Sequence, residues 1–390
     1  MALTKKKYEV IVIGAGISGA CTAFELAKRG VTDVLLVDKQ YVASGATGRC
    51  AAGIRQQFGF RLNAEVAIDC TEIWTNLNKY TGYKHDCGVV QCGYMLLAYT
   101  EAELRTFTNN LILQHELGIN SEELDIPAIK KILPGLNTEG VLGATWNAED
   151  GTADPFHGTL AFARGAERMG VDVAPYTEVL QIKTLNGEVC GVETNRGYIE
   201  TKHIINCANS WAPILAAQVG DEIPIKNERH QIFVTEPVGM LGPNGLPMPM
   251  VLTFCKGTYS KQTAHGSLLL GIDEEPEHSY NSNATWDFAE KCCGLHCEMF
   301  PMFRKLRIVR QWAGFYDISP DSNTIIHFSE NAKGLVSLCG LSGHGFLLGP
   351  RLGILLANNY CGLDDPIDIK RFSLDRYKDG GELLSEPLCV

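Results

Sequence analysis

The run Gly14-Ala15-Gly16-Ile17-Ser18-Gly19 places three glycines at the spacing that a phosphate-cradling turn requires. Gly14 permits the tight turn, Gly16 lets the backbone approach a pyrophosphate, and Gly19 brings a following helix against the preceding strand. The amino terminus of that helix adds amide donors and a partial positive charge. Asp38 stands where a carboxylate accepts hydrogen bonds from the adenosine ribose hydroxyls, which disfavours a ribose phosphate and therefore NADP. FAD and NAD both remain open on this unit alone.

Two further side chains carry chemistry. The guanidinium fork of Arg55 is the best fixed partner for a carboxylate, through paired charge-assisted hydrogen bonds. His344 sits in a run of small residues, Gly340 to Gly345, whose backbone amides can reach a cofactor ring, and an ordinary histidine titrates in the range useful for catalysis. A denser group, Cys292, Cys293, His296 and Cys297, has a spacing that could put thiolates and an imidazole on neighbouring helical turns, as a metal site would require. Such sites pair two separated ligand couples, and only one is present, so no metal is expected and Trp286 to Leu306 reads as an amphipathic helix.

The elements that position these residues follow from periodicity. Tyr8 to Ile13 predicts a strand, Ala20 to Arg29 a helix ending at Gly30, and Val34 to Val37 a second strand ending at Asp38. Ala64 to Tyr80 reads as a helix, Gly88 to Leu97 as a strand pair, and Ser267 to Ile272 as a strand.

The 390 residues, 45% apolar and 20% charged, describe an ordinary globular protein with a large core. A formal charge of −11 with scattered basic residues offers no face for nucleic acid. Three lysines precede the apolar run Val10 to Ile13, but glycines interrupt it too early for an export signal, and no stretch is long enough for a membrane span. Fourteen cysteines in a long chain of this kind favour reduced thiols and a cytoplasmic location.

After Asp38 comes Ser44-Gly45-Ala46-Thr47-Gly48-Arg49-Cys50-Ala51-Ala52-Gly53-Ile54-Arg55-Gln56-Gln57, a small-residue loop ending in Arg-Gln-Gln. Later blocks are Asn206-Cys207-Ala208-Asn209-Ser210-Trp211-Ala212, His230 to Pro237, Gln311 to Asp321, and Gly340-Leu341-Ser342-Gly343-His344-Gly345-Phe346. In order and spacing these resemble the D-amino-acid oxidase superfamily of flavoenzymes. The likeness is strongest to the branch holding sarcosine oxidase beta subunits, archaeal L-proline dehydrogenase beta subunits and dimethylglycine dehydrogenase, and it covers nearly the whole chain.

The resemblance implies FAD as the cofactor, held by the glycine turn with Asp38 and Lys39, by Ser44, Gly45, Ala46, Thr47, Cys50, Ala51, Ala52 and Gly53, by Val179, and by Cys207, Ala208 and Trp211. Gly340, Gly343, His344, Gly345, Phe346 and Leu347 would complete the site. Arg55 falls where a family member has a carboxylate-binding arginine, although Ala52 and Leu347 replace a second arginine and a lysine there, so substrate anchoring must differ. Gly314 aligns with a flavin-attaching cysteine and excludes that bond, whereas Cys50 aligns with a flavin-attaching histidine. Lys261 is the nearest candidate for the oxygen-activating lysine of family oxidases.

The expected architecture is α/β, with a Rossmann-like FAD-binding domain interleaved with a mixed-sheet α+β substrate domain. Residues 1–60, 150–222 and 317–390 are assigned to the first, and 61–149 and 223–316 to the second. The expected function is an FAD-dependent dehydrogenase or oxidase that takes a hydride from a secondary amino acid such as proline, hydroxyproline or sarcosine, giving an imine. Two alternatives stay open: a D-amino-acid dehydrogenase acting on primary amines, and a beta subunit that needs partner chains for activity.

Overall fold

The strands Val10–Ile13 and Val34–Val37 are aliphatic at every position and buried at every position. Continuous apolar strands of this kind belong in a parallel sheet covered on both faces. The computed structural model, which describes residues 5–273, 278–378, 381, 383, 384 and 386, shows that arrangement. Six strands run in the order Ile325–Phe328, Leu335–Cys339, His203–Asn206, Val10–Ile13, Val34–Val37, Asp172–Ala174. All neighbours are parallel except the antiparallel edge strand Ile325–Phe328.

The helix Ile17–Lys28 leaves the first strand through the glycine turn and packs against the helix Gly345–Tyr360. Their approach is close because a β-carbon on Gly349 would stand 2.9 Å from Ile17, and one on Gly353 2.8 Å from Cys21. This contact brings two helix amino termini, Ile17 and Gly345, to the carboxyl end of the parallel sheet, where open α/β sheets bind ligands.

A second, mixed sheet of eight strands has the order Ile308–Ile318, Lys226–Pro237, Ser267–Ile272, Thr258–Gln262, Met250–Thr253, Tyr94–Ala98, Gly143–Asn147, Glu122–Leu124. Its single parallel pairing joins Met250–Thr253 to Tyr94–Ala98, two segments far apart in sequence. A short ladder, Gly53–Ile54 against Gly151–Thr152, lies at the passage between the two sheets. A separate three-stranded antiparallel sheet comprises Val179–Leu185, Glu188–Thr194 and Gly197–Glu200. Among the described residues no helix is long and apolar enough to cross a membrane.

Several predicted elements differ in extent. The first helix starts at Ile17, three residues earlier than its periodicity indicates, because the glycine turn itself delivers the chain into helical geometry. The helix expected over 64–80 is two, Arg61–Thr75 and Leu77–Thr81, broken at Asn76. The strand pair expected over 88–97 is one strand, Tyr94–Ala98, preceded by a single bridge from Val90 to Thr152. Positive φ at Gly88 and Gly93 turns the chain there, and a β-carbon at Gly93 would overlap the Trp146 ring. The helix expected over 286–306 stops at Met299, just before Pro301, which cannot continue the backbone ladder.

Candidate functional site

Gly14, Gly16, Ile17 and Ser18 line a cleft of about 430 Å³ at the carboxyl end of the parallel sheet. The N-cap of the helix that starts there, Gly16, has no side chain to occupy the first-turn amides. Gly14 has φ of 98°, and a β-carbon on it would stand 2.5 Å from the carbonyl oxygen of Cys207. One on Gly19 would overlap the carbonyl oxygen of Gly14, which is why helix and strand can meet only with glycine there. Asp38 ties the turn to the second strand: Oδ2 accepts from the Ala15 amide at 2.9 Å, and Oδ1 accepts from the Gln40 amide at 2.8 Å and the Ser44 hydroxyl at 3.4 Å. A carboxylate has about four acceptor positions, so about one remains after these bonds, and Asp38 lines the cleft.

Around this centre the cleft takes in Lys39, Ser44, Gly45, Ala46, Thr47 and Cys50, then Val179, Cys207, Ala208 and Trp211, and Gly343, Gly345 and Phe346. The ammonium of Lys39 lies 3.4 Å from the centroid of the Trp211 ring, within cation–π range. The Thr47 hydroxyl accepts from the Ile17 amide at 3.1 Å and so pins the short helix Ala46–Arg49 against the glycine turn. These side chains, carried by segments far apart in sequence, form a long cleft suited to an extended dinucleotide.

A smaller chamber of about 70 Å³ adjoins the cleft and shares Cys50, Tyr316, Gly343 and Phe346 with it. Ala51, Ala52, Gly53, Arg55, His344 and Leu347 line this chamber, together with Tyr94, Met250, Leu252 and Tyr259 from the mixed sheet. Nη2 of Arg55 lies 3.0 Å from Nε2 of His344, and Nη1 donates to the Gln57 carbonyl at 3.5 Å. The guanidinium carbon is 4.6 Å from the Phe58 ring centroid and 5.9 Å from that of Tyr94, within cation–π range of both.

Electrostatics around the chamber depart from the sequence expectation at one residue. Burial, and then the adjacent Arg55 charge, pull His344 down to about 3. The imidazole is therefore neutral at physiological pH and accepts a hydrogen bond from Arg55, which corrects the expectation of a histidine titrating in the useful range. Burial pushes Cys50 up to about 11, which leaves very little of the thiolate that a covalent flavin bond would need. Burial also draws the Lys261 ammonium down to about 8; its Nζ lies 3.4 Å from the Ala153 carbonyl, and it lines neither the cleft nor the chamber.

Three residues expected at the cofactor line neither cavity. Gly19 packs helix on strand, the Ala15 amide is engaged by Asp38, and the Gly340 amide donates to Asp317 Oδ2 at 2.6 Å. The loop of small residues thus spends part of its amide array within the protein: the Ser342 amide donates to the Asp317 backbone carbonyl at 3.4 Å, and the His344 amide to the Leu341 carbonyl at 2.8 Å. Burial pushes Asp317 up to about 7. Gly343 and Gly345 remain at the cleft wall.

Two further residues at or behind the site were not singled out from the sequence. Arg49 lines the cleft, and its Nη1 donates to the Ala313 carbonyl at 2.7 Å while its own carbonyl accepts from the Trp312 indole at 2.9 Å. Asp150, fully buried, accepts from the Gln56 amide at 2.8 Å and from Nε2 of Gln57 at 3.1 Å. Both rest on pairings between distant segments, which no local spacing reveals. The cysteine-rich helix is core: both His296 nitrogens face backbone carbonyls, of Cys292 at 2.9 Å and of Tyr259 at 3.2 Å. Among the described residues no group of three or more acidic, histidine or cysteine side chains could hold a metal ion.

Comparison with known proteins agrees with this geometry. The model of the DAO family, FAD dependent oxidoreductase, matches residues 9–359, and the chain belongs to that family. It is 28% identical to sarcosine oxidase subunit beta of Rhodobacter capsulatus over 381 residues, covering 96% of this chain and 90% of that protein. The crystal structure of L-proline dehydrogenase from P. horikoshii superposes with a TM-score of 0.90 at 34% identity, covering 97% of this chain and 99% of the other. Dimethylglycine dehydrogenase of Rattus norvegicus is 25% identical over 392 residues, which cover 96% of this chain and 45% of that longer protein. FAD is the cofactor of the family, and the glycine turn, the Asp38 carboxylate and the two helix termini fit it.

Proposed function

We propose that this protein is an FAD-dependent dehydrogenase or oxidase of a small secondary amino acid, of the proline, hydroxyproline or sarcosine kind, converting the CH–NH unit to an imine. The observation that carries the reading is the small chamber with Arg55 and His344 on its wall, sharing four residues with the cofactor cleft. Bound FAD supplies a two-electron acceptor. The chain's own residues bind and orient. Arg55 holds the substrate carboxylate by paired hydrogen bonds, and neutral His344 fixes the guanidinium from the side.

Among the described residues no carboxylate lines the chamber, so a substrate ammonium meets no ion-pair partner on its wall and the neutral amine is favoured. A neutral amine is the reactive form, because its lone pair closes the C=N bond as the hydride leaves the adjacent carbon. At about 70 Å³ the chamber is far smaller than the adjoining cleft of about 430 Å³, which favours a small substrate. Phe346, Leu347, Met250 and Leu252 give the remaining wall an apolar character that fits a ring or N-methyl group. The names of similar proteins, L-proline dehydrogenase and sarcosine oxidase subunit beta, support the same substrate class.

On this reading, residues 1–60, 150–222 and 317–390 carry the cofactor and 61–149 and 223–316 shape the substrate chamber. A second reading, favoured by the subunit beta names among the relatives, makes the chain one member of a hetero-oligomer. Turnover with a dye acceptor, compared for L-proline, sarcosine, trans-4-hydroxyproline and D-alanine, tests the substrate class. A higher kcat/KM for D-alanine than for all three secondary amines would overturn it.

A further inference from the structure

Asp150 is fully buried and makes no ion pair among the described residues. Its Oδ1 accepts from the backbone amide of Gln56 at 2.8 Å and its Oδ2 from the side-chain amide of Gln57 at 3.1 Å. Nε2 of Gln57 also donates to the Tyr94 carbonyl at 3.0 Å, and its Oε1 is a buried acceptor with no hydrogen-bond partner among the described residues. The two glutamines directly follow Arg55, so the Asp150 carboxyl fixes the segment that aims the guanidinium into the chamber. Fixing that segment needs only acceptors, and an amide could supply one; a negative charge buried without an ion-pair partner requires a separate reason.

The charged and titratable groups facing Asp150 are few. From the opposing segments they are Arg55 and the Tyr94 phenol, which burial keeps protonated; beyond Arg55 lies the neutral His344. On its own segment, Glu149 turns to the surface, where it accepts from Asn120 at 2.9 Å. Arg55 is therefore the positive group whose charge Asp150 senses.

We propose that Asp150 is a positioning residue that orients Arg55 through Gln56 and Gln57 and takes up a proton from solvent when a carboxylate binds at Arg55. The inference rests on the proposed function, in which Arg55 holds the substrate carboxylate. Where Asp150 is ionised before binding, its charge is offset by that of the nearby Arg55. An arriving carboxylate brings a second negative charge against one guanidinium, and the buried Asp150 anion becomes the less stable of the two. Protonation at an Asp150 oxygen restores the balance; no electrons move. Burial already pushes Asp150 up to about 7, where a modest further rise changes its occupancy at physiological pH.

The test uses FAD-loaded enzyme and cyclopentanecarboxylate, which has the ring and carboxylate of proline but no amine to titrate. Binding is followed by the perturbation of the visible flavin spectrum between pH 6 and pH 9. In the wild type the Kd should rise with pH, with a limiting slope of about tenfold per pH unit once Asp150 is ionised in the free enzyme. Asp150→Asn should flatten that slope while still binding the probe. A merely structural role would lower the melting temperature of the variant and leave the slope in place, and that result overturns the proposal. A slope due to Lys261 would likewise survive in Asp150→Asn.

If Asp150→Asn fails to fold, calorimetric titration of the wild type near neutral pH, in two buffers of different ionisation enthalpy, decides the matter. Proton uptake on probe binding supports the assignment, and none overturns it. Arg55→Met separates the two levels: a Kd unchanged in that variant overturns the carboxylate clamp and this inference with it. Lost binding in Arg55→Met with a pH slope retained in Asp150→Asn overturns this inference alone.

Discussion

Nη2 of Arg55 and Nε2 of His344 lie 3.0 Å apart inside the small chamber, although 289 residues separate them in sequence. Arg55 follows the short ladder at Gly53–Ile54, and His344 stands at the start of the helix Gly345–Tyr360. Their contact lies on the chamber wall, one residue from Gly343, which the chamber shares with the cleft.

Removing the guanidinium should act on binding first. Truncating one partner of a buried charge pair costs about 2–5 kcal/mol, so Arg55→Met should raise KM for the amino acid by roughly thirtyfold or more. Arg55→Lys should recover part of that loss, since it restores charge without the paired geometry. Steady-state kinetics at several substrate concentrations separate KM from kcat.

The neutral state of His344 has its own consequence. With its protonation held down at about 3, the imidazole does not change charge between pH 5 and pH 8. Wild type and His344→Gln should therefore give pH profiles of kcat with the same shape over that range. His344→Leu, which removes the acceptor, should raise KM by roughly tenfold or more, the effect of losing one hydrogen bond to a charged group.

Two glycines of the turn should fail differently. In Gly14→Ala the new methyl meets the Cys207 carbonyl oxygen at 2.5 Å on a backbone with φ of 98°, so melting temperature and flavin content should both fall. In Gly16→Ala the nearest atom is the Thr47 hydroxyl at 3.0 Å, the end of a side chain. That variant should fold and lose mainly FAD affinity. The ratio of visible to ultraviolet absorbance, read beside thermal unfolding, distinguishes the two.

Asp317 predicts a slope in stability. Its carboxyl is pushed up to about 7 in the folded chain, so the folded state holds the proton more tightly than the unfolded state does. The associated stability is complete below about pH 4 and is lost as pH rises to about 7, on the order of 4 kcal/mol over the whole window. Asp317→Asn keeps an acceptor for the Gly340 amide and should lose this share of the dependence. Melting temperatures at pH 5, 6, 7 and 8 check it: the decline should be shallower in the variant.

The cofactor side of the site was legible because its signals are local. Gly14, Gly16, Gly19 and Asp38 act within one strand–turn–helix unit, and both strands flanking it ended where their apolar runs end. The ladder at Gly53–Ile54 and the chamber wall at Tyr94, Met250 and Tyr259 were not legible, because they arise from pairing between distant strands. Arg55 and His344 were each readable as candidates, but their contact was not. The neutrality of His344 follows from burial, which sequence spacing does not encode. Asp150 escaped notice for the same reason, since an aspartate before a glycine looks like a turn residue until its burial is seen.

The most direct test of the account is anaerobic titration of the purified FAD-loaded chain with L-proline, sarcosine and trans-4-hydroxyproline, followed by visible absorbance. The account predicts that at least one of them bleaches the flavin in this chain alone, and that Arg55→Met needs far more of it to do so. A spectrum unmoved by all three, or bleached equally well in Arg55→Met, would contradict it.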